Sequence, residues 1–177
     1  GTTAVDSSVY GNDGSMVGGM TAADDTVTGV INTALDFSDA NHEILVDPDP
    51  AFENLFDGGG SISMWVKPAT GSQGDLIFKS TNSGTLPEGY IINFFDPTTS
   101  GRILFRKAWA SGRHAWRTAD VINFNEWNHI VINFDSSSDT NTPEIYINNQ
   151  LVVSTLWYDI GGGGASPTDA GVDLTKG

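Results

Sequence analysis

The sequence lacks cysteine, has few cations and contains no long apolar run. Without cysteine there can be no disulfide. Eight Lys and Arg stand against 22 Asp and Glu, which gives a formal net charge of −14 at pH 7. A surface of that charge repels nucleic-acid phosphates and anionic membranes, so nucleic acid is not an expected partner. No apolar run is long enough to cross a bilayer, so membrane insertion is not expected either.

The residues that are present favour one β-rich domain. The chain has 177 residues, of which 38% are hydrophobic and 21 are glycine. That apolar content suffices for one core, and abundant glycine suits short strands joined by tight turns. The excess of carboxylates also suits hard cations such as calcium. We therefore expect residues 1–177 to form a single domain.

The clearest strand signal lies at residues 61–68. Ile62, Met64 and Val66 alternate with more polar residues, as the two faces of a strand require. Pro68 ends the stretch, because proline has no N–H to give to a sheet. Trp65 lies on the more polar face, which indicates that this face is partly covered too. The pattern predicts a central strand of a sandwich.

Short strand signals recur along the rest of the chain at roughly ten-residue spacing, separated by turn residues. No segment carries a helical stripe. Asn148 and Asn149 are typical of a two-residue hairpin turn with positive φ at both positions. The predicted strands are two between 26 and 37, and 43–46, 75–79, 90–95, 102–109, 114–119, 128–134, 144–147 and 151–155. They favour an antiparallel sandwich or jelly roll.

Five blocks, in order, resemble the laminin-G-like domains of the concanavalin A-like lectin/glucanase superfamily. They are Asp6-Ser7-Ser8 with residues 11–14, residues 34–37 with 43–46, residues 61–68, residues 126–131 and residues 145–150. The resemblance covers most of the chain, from about Asp6 to Val153. It implies an all-β fold, an antiparallel β-sandwich of the concanavalin A-like jelly-roll type. The family normally closes with a further strand, so we expect that strand either in a continuation of the chain or from a neighbouring chain.

The same resemblance implies a calcium site at the rim of the sandwich. It places ligands in the loop before residues 43–46, at Asp39 and Asn41, and in a late loop at Asp169. Calcium takes six to eight oxygen ligands, and these side chains supply such oxygens. The alternative is that these residues are simply solvated. The three histidines lack zinc spacing, and His129 is expected to be packed or hydrogen bonded.

Catalysis is not expected. Glucanases of this superfamily use closely spaced acidic residues on one strand, and the sequence has no such run. Asp47 and Asp49 are two residues apart, but the prolines beside them place them in a turn. A glycoside hydrolase is therefore the weakest alternative. It would need two carboxylates about 5–10 Å apart across a cleft.

Five of the eight basic residues fall between 102 and 117, interleaved with aromatic residues. The segment predicts a basic, aromatic hairpin on an acidic protein. Aromatic faces suit sugar rings, and guanidinium groups suit carboxylated or sulfated sugars. The candidate ligand-binding residues are Arg106, Trp109, Arg113, His114 and Trp116. The alternative is that the tryptophans belong to the core and the arginines pair with nearby carboxylates.

The sequence thus predicts a non-catalytic carbohydrate-binding or adhesion module. We expect it within a larger extracellular or virion-surface protein, such as a phage fibre or a capsid-decorating protein, with a glycan or cell-surface polysaccharide as partner. A purely structural interaction domain is the competing class. It would use the same hairpin against an acidic neighbouring chain, form a defined homo-oligomer and have no glycan affinity.

Overall fold

A computed structural model describes residues 1–49, 52, 55–80, 89–95, 101–109 and 112–160. Within these ranges every extended element is a β-strand, no α-helix is present, and every strand pair is antiparallel. The all-β antiparallel class is confirmed. No helix among these residues is long and apolar enough to span a membrane. The chain divides into two compact units, residues 1–49 and residues 50–174.

The unit formed by residues 1–49 contains two small sheets. Its strands are β1 (Thr3–Ala4), β2 (Gly14–Val17), β3 (Thr26–Thr28), β4 (Thr33–Leu35) and β5 (Glu43–Val46). The first sheet has the order β1-β2-β5, and β3 pairs with β4 as a hairpin. Gly18 follows β2 with a φ of 73°, and a Cβ there would lie 1.9 Å from the Asn41 carbonyl oxygen. Only glycine fits this approach of the two segments.

The unit formed by residues 50–174 contains a five-stranded and a four-stranded sheet, with the orders β14-β10-β9-β8-β7 and β13-β12-β11-β6. Their strands are β6 (Gly60–Val66), β7 (Gly74–Ser80), β8 (Gly89–Phe95), β9 (Arg102–Trp109), β10 (Gly112–Thr118), β11 (Asn128–Phe134), β12 (Glu144–Ile147), β13 (Gln150–Val152) and β14 (Ser154–Ile160). Aromatic rings join the two sheets. Phe134 of β11 lies 5.3 Å from Phe105 of β9 and 5.2 Å from Trp116 of β10. The two sheets thus pack as the predicted sandwich.

Strand β6 has the predicted faces, and among the described residues it lies at the end of its sheet. Ile62, Met64 and Val66 pack against the core, as their alternation indicates. Trp65, on the other face, is 46% exposed. Among the described residues β6 pairs with β11 only, at the end of its sheet. The prediction of a central strand depended on partial cover of Trp65, and the neighbouring His129 ring covers one side of that indole.

Strand β14 was not predicted as a separate element. The sequence suggested one returning strand at 151–155, whereas the chain forms β13, passes Val153, and then forms β14 against β10. The change of partner places β14 in the opposite sheet. Residues 161–177 lie outside the described residues, and the expected closing strand and the single domain stay predictions.

Candidate functional site

The predicted basic hairpin is formed by β9 and β10. Ala108 pairs with Arg113 and Arg106 pairs with Ala115, while residues 110 and 111 between the strands lie outside the described residues. Side chains alternate between the two faces of a strand, and directly opposed residues share a face. The five candidate residues are therefore brought together in sequence but divided between two faces of the sheet.

Trp109, His114 and Trp116 lie on the inner face. Trp109 is 3% exposed and Trp116 is 2% exposed. The His114 ring lies edge-on to both indoles, with centroid distances of 5.3 and 5.5 Å. Trp116 also stacks on Phe105 in the core, at 5.9 Å. In this arrangement the indoles present no face to a ligand, which supports the core alternative, and ligand binding by these three side chains stays a prediction.

Arg106, Arg113 and Arg117 lie on the outward face of the hairpin, which we call the arginine face. Arg113 and Arg117 are four residues apart on β10, roughly 13 Å along the strand. Arg106 lies on β9 opposite Ala115, between them. Ala115 is small and buried beneath this face. The fold thus concentrates positive charge on the outer face of the β9–β10 hairpin.

The partners of these arginines differ. The Arg117 guanidinium lies 5.7 Å from the ring centroid of Trp157, which is 45% exposed, in a cation–π arrangement. Arg106 Nε is buried and has no hydrogen-bond partner among the described residues. Arg102, further along β9, is paired with Asp120 through Nε and through Nη2, the latter at 3.1 Å from Oδ2. This hydrogen bonding lowers the pKa of the Asp120 carboxyl below its ordinary value.

A small cavity of about 20 Å³ opens beside the arginine face. Lys79, Tyr90, Arg106 and Arg113 contribute to its lining, and Lys79 Nζ lies 5.7 Å from the Tyr90 ring centroid. That volume holds about one water molecule or one oxygen of an anionic group. Three cationic side chains around so small a space favour an anion over a neutral group.

Trp157 is the residue of this face that the sequence did not indicate. It lies on β14, and its position beside Arg117 depends on the pairing of β14 with β10, which has an irregularity between Ala115 and Trp116. The apolar run Leu156-Trp157-Tyr158 was the available signal for a strand there. Its partner strand could not be read from that run.

The predicted metal ligands are only partly described. Asp39 and Asn41 lie in the loop before β5, where Asp39 Oδ1 accepts hydrogen bonds from the backbone and side-chain nitrogens of Asn41, at 3.0 and 3.3 Å. Asp169 lies outside the described residues. Across the described ranges, no group of three or more His, Cys, Asp or Glu side chains is arranged to hold a metal ion. The calcium site stays a prediction.

The two packed antiparallel sheets define the class of this protein as a lectin-like β-sandwich. A family model for the concanavalin A-like lectin/glucanases superfamily matches residues 38–165, and the chain belongs to that superfamily. The family suggested by the sequence blocks is confirmed. The superfamily contains enzymes and non-enzymes, and its members often bind carbohydrates or proteins. No curated protein and no solved structure gives a significant match to the chain.

Proposed function

We propose that this chain is a non-catalytic carbohydrate-binding or adhesion module of an extracellular or virion-surface protein. Its arginine face binds saccharides that carry carboxylate or sulfate groups. The observation that carries the proposal is the placement of Arg106, Arg113 and Arg117 on one outward face of two adjacent strands. These cations come together in a protein whose net charge is −14, so they are not part of a generally basic surface.

The chemistry of the face supports an acidic sugar. Guanidinium groups bind carboxylate and sulfate oxygens through paired hydrogen bonds, and a partly buried site strengthens such bonds. The exposed Trp157 ring adjoins Arg117 and offers an apolar surface for the sugar itself. The negative charge of the whole protein disfavours long polyanions at a distance. A short saccharide with a few acidic groups suits both the local and the global charge.

The arrangement of the carboxylates near the arginine face favours a binding role over catalysis. Asp120 is engaged with Arg102, which leaves it poorly placed to act as an acid. Asp75 is on the outward side, opposite Asn93 on β8. Among the described residues of the face we find no second carboxylate facing Asp75 across a cleft, which glycoside hydrolysis would need.

Calorimetric titration with uronic-acid and sulfated oligosaccharides at low salt tests the proposal. We expect binding that weakens roughly tenfold or more in Arg106→Ala/Arg113→Ala, since hydrogen bonds to charged groups contribute about 1.5–3 kcal/mol each. Lys67→Ala, an exposed cation outside the face, is the matched control and should bind normally. Added salt should weaken the wild-type interaction. Equal affinity of the arginine variant and the wild type would contradict the proposal.

A second candidate is a structural interaction domain. Residues 1–49 contain nine Asp and Glu and no Lys or Arg, so a second copy of the chain offers an acidic surface to the arginine face. This alternative predicts a defined homo-oligomer at low salt that dissociates in the same arginine variant, together with no glycan affinity. Light scattering coupled to size exclusion distinguishes it from saccharide binding.

A further inference from the structure

The outer face of the four-stranded sheet carries an exposed pair of stacked rings. Trp65 of β6 lies directly opposite His129 of β11. Their ring centroids are 4.8 Å apart and the ring planes differ by 24°. Trp65 is 46% exposed even though His129 covers one side of it. The other face of the indole is therefore open to solvent.

The histidine of this pair is held from several directions. Its Nε2 lies 2.9 Å from Ser63 Oγ. Its backbone N donates to Asn148 Oδ1 at 2.9 Å, and the Asn148 backbone N donates to the His129 carbonyl at 2.8 Å. These contacts fix the ring on which Trp65 stacks. Because Trp65 stacks on this ordered ring, its side chain loses little conformational entropy when a ligand binds to it.

A row of polar residues crosses the same face four residues from Trp65, roughly 13 Å along the strands. Ser61, Asn133 and Glu144 are in register across β6, β11 and β12. Ser61 Oγ donates to Asn133 Oδ1 at 2.7 Å. The row opens into a basin of about 630 Å³, to which Asp135 and Asn141 also contribute. Carboxylate, amide and hydroxyl groups thus line one end of the face and an aromatic ring the other.

Tyr146 connects the two ends. It pairs with Val131 in the row between them, and its hydroxyl donates to Glu144 Oε2 at 3.3 Å. The negative charge of Glu144 raises the pKa of the Tyr146 hydroxyl above its ordinary value. Tyr146 therefore stays protonated and keeps the Glu144 carboxylate in place. Glu144 retains lone pairs that can accept hydrogen bonds from hydroxyl groups of a ligand.

We propose that this face, from Trp65 to the row of Ser61, Asn133 and Glu144, binds a neutral oligosaccharide. The apolar side of one sugar ring stacks on Trp65, and hydroxyl groups of another unit bond to Asn133 and Glu144. The carboxylates of Asp135 and Glu144 repel acidic sugars, so the ligand is uncharged. The span between the ends requires more than one sugar unit. The site lies on the opposite sheet from the arginine face and does not depend on it.

Titration of neutral gluco-, galacto- and manno-oligosaccharides, followed by calorimetry and tryptophan fluorescence, tests this site. We expect Trp65→Ala to weaken binding about tenfold or more, the loss typical of a dominant interface side chain. Glu144→Gln, which keeps the shape of the side chain, should weaken it as well. Phe78→Ala is the matched control, because Phe78 is 57% exposed and lies on β7 in the other sheet. Thermal unfolding of each variant verifies that it is folded.

The outcomes separate this site from the arginine face. Neutral-sugar binding that is lost in Trp65→Ala and retained in Phe78→Ala supports the site. No binding of any neutral oligosaccharide, or unchanged binding in folded Trp65→Ala, overturns it. Binding of acidic sugars alone, sensitive to Arg106→Ala, would overturn this site and leave the proposed function intact. Capture of a protein partner in place of sugar through Trp65 would overturn it as well.

Discussion

Trp116 and Trp65 are both strand residues, and the face of the strand determines what each ring does. Trp116 points into the sandwich and stacks on Phe105, where it stabilises the core. Trp65 points outward and stacks on His129, with nearly half of its surface in solvent. A buried indole contributes apolar burial, whereas an exposed and ordered indole is available to a ligand. The exposed tryptophans, Trp65 and Trp157, are therefore the better candidates for recognition.

The pairing of Asp120 with Arg102 gives a pH-dependent prediction. The hydrogen bond from Arg102 lowers the pKa of Asp120 in the folded protein. A group with a lowered folded pKa stabilises the fold above its unfolded pKa, and that stabilisation is lost as the pH falls through the folded pKa. We expect Asp120→Asn to lower the melting temperature slightly at neutral pH. At a pH below the folded pKa, the variant and the wild type should melt together.

The Asp120 measurement has an internal control. Arg102→Gln removes the same pair from the other side, so the double variant should melt close to either single variant at neutral pH. Both side chains are substantially solvated, at 26% and 36% exposure, so the effect is small and screened by salt. A melting difference between Asp120→Asn and the wild type that persists unchanged into acid would contradict the assignment.

At the scale of elements, substitutions on the two faces of β11 test the packing of the sandwich directly. Ile132 is fully buried on its inner face, and Val131 is half-buried on its outer face. We expect Ile132→Ala to reduce the free energy of unfolding by about 2–5 kcal/mol, the usual cost of deleting buried methyl groups and leaving a cavity. Val131→Ala should cost clearly less. Urea denaturation of the two variants measures both values. A larger loss for Val131→Ala would mean that Val131, and not Ile132, faces the core.

The strands were predictable where one face is buried and the other is solvated. The alternation at β6 indicated its inner residues, and the predicted bounds of β11, 128–134, match the strand. The positive φ expected at Asn148 and Asn149 is confirmed at 51° and 66°. β9 is different, because Ile103, Leu104 and Phe105 are all buried. A strand that is covered on both sides has no two-residue period to read.

The missing two-residue alternation in β9 explains why the sequence did not predict which candidate residues face outward. The clustering of Arg106 and Arg113 with Trp109 and Trp116 was visible, but the division between arginines outside and tryptophans inside was not. The contact of Arg117 with Trp157 depends on β14 crossing to the other sheet, which is a long-range pairing. Such pairings depend on the packing of the whole sheet and leave little local signal.

At the scale of the whole molecule, charge and burial are unevenly distributed. All eight Lys and Arg lie beyond residue 66, while residues 1–49 are acidic throughout. Within residues 1–49, Met16 and Met20 are the buried hydrophobic side chains. Residues 52–160 contain the large cluster of aromatic and isoleucine side chains. Because local stability follows buried apolar contacts, the two units should differ in how readily they open.

Hydrogen exchange followed by mass spectrometry measures that difference. We expect the amides of β2 and β5 to exchange well before those of β9 and β11. Strands β2, β9 and β11 are each paired on both sides in their sheets, whereas β5 pairs with β2 alone among the described residues. Since β2 is hydrogen bonded on both sides as β9 and β11 are, its faster exchange would come from the smaller apolar core of residues 1–49. Adding Ile132→Ala provides the control, because it should accelerate β9 and β11 while changing β2 and β5 little. Equal protection of all four strands in the wild type would instead mean that the whole chain opens as one cooperative unit.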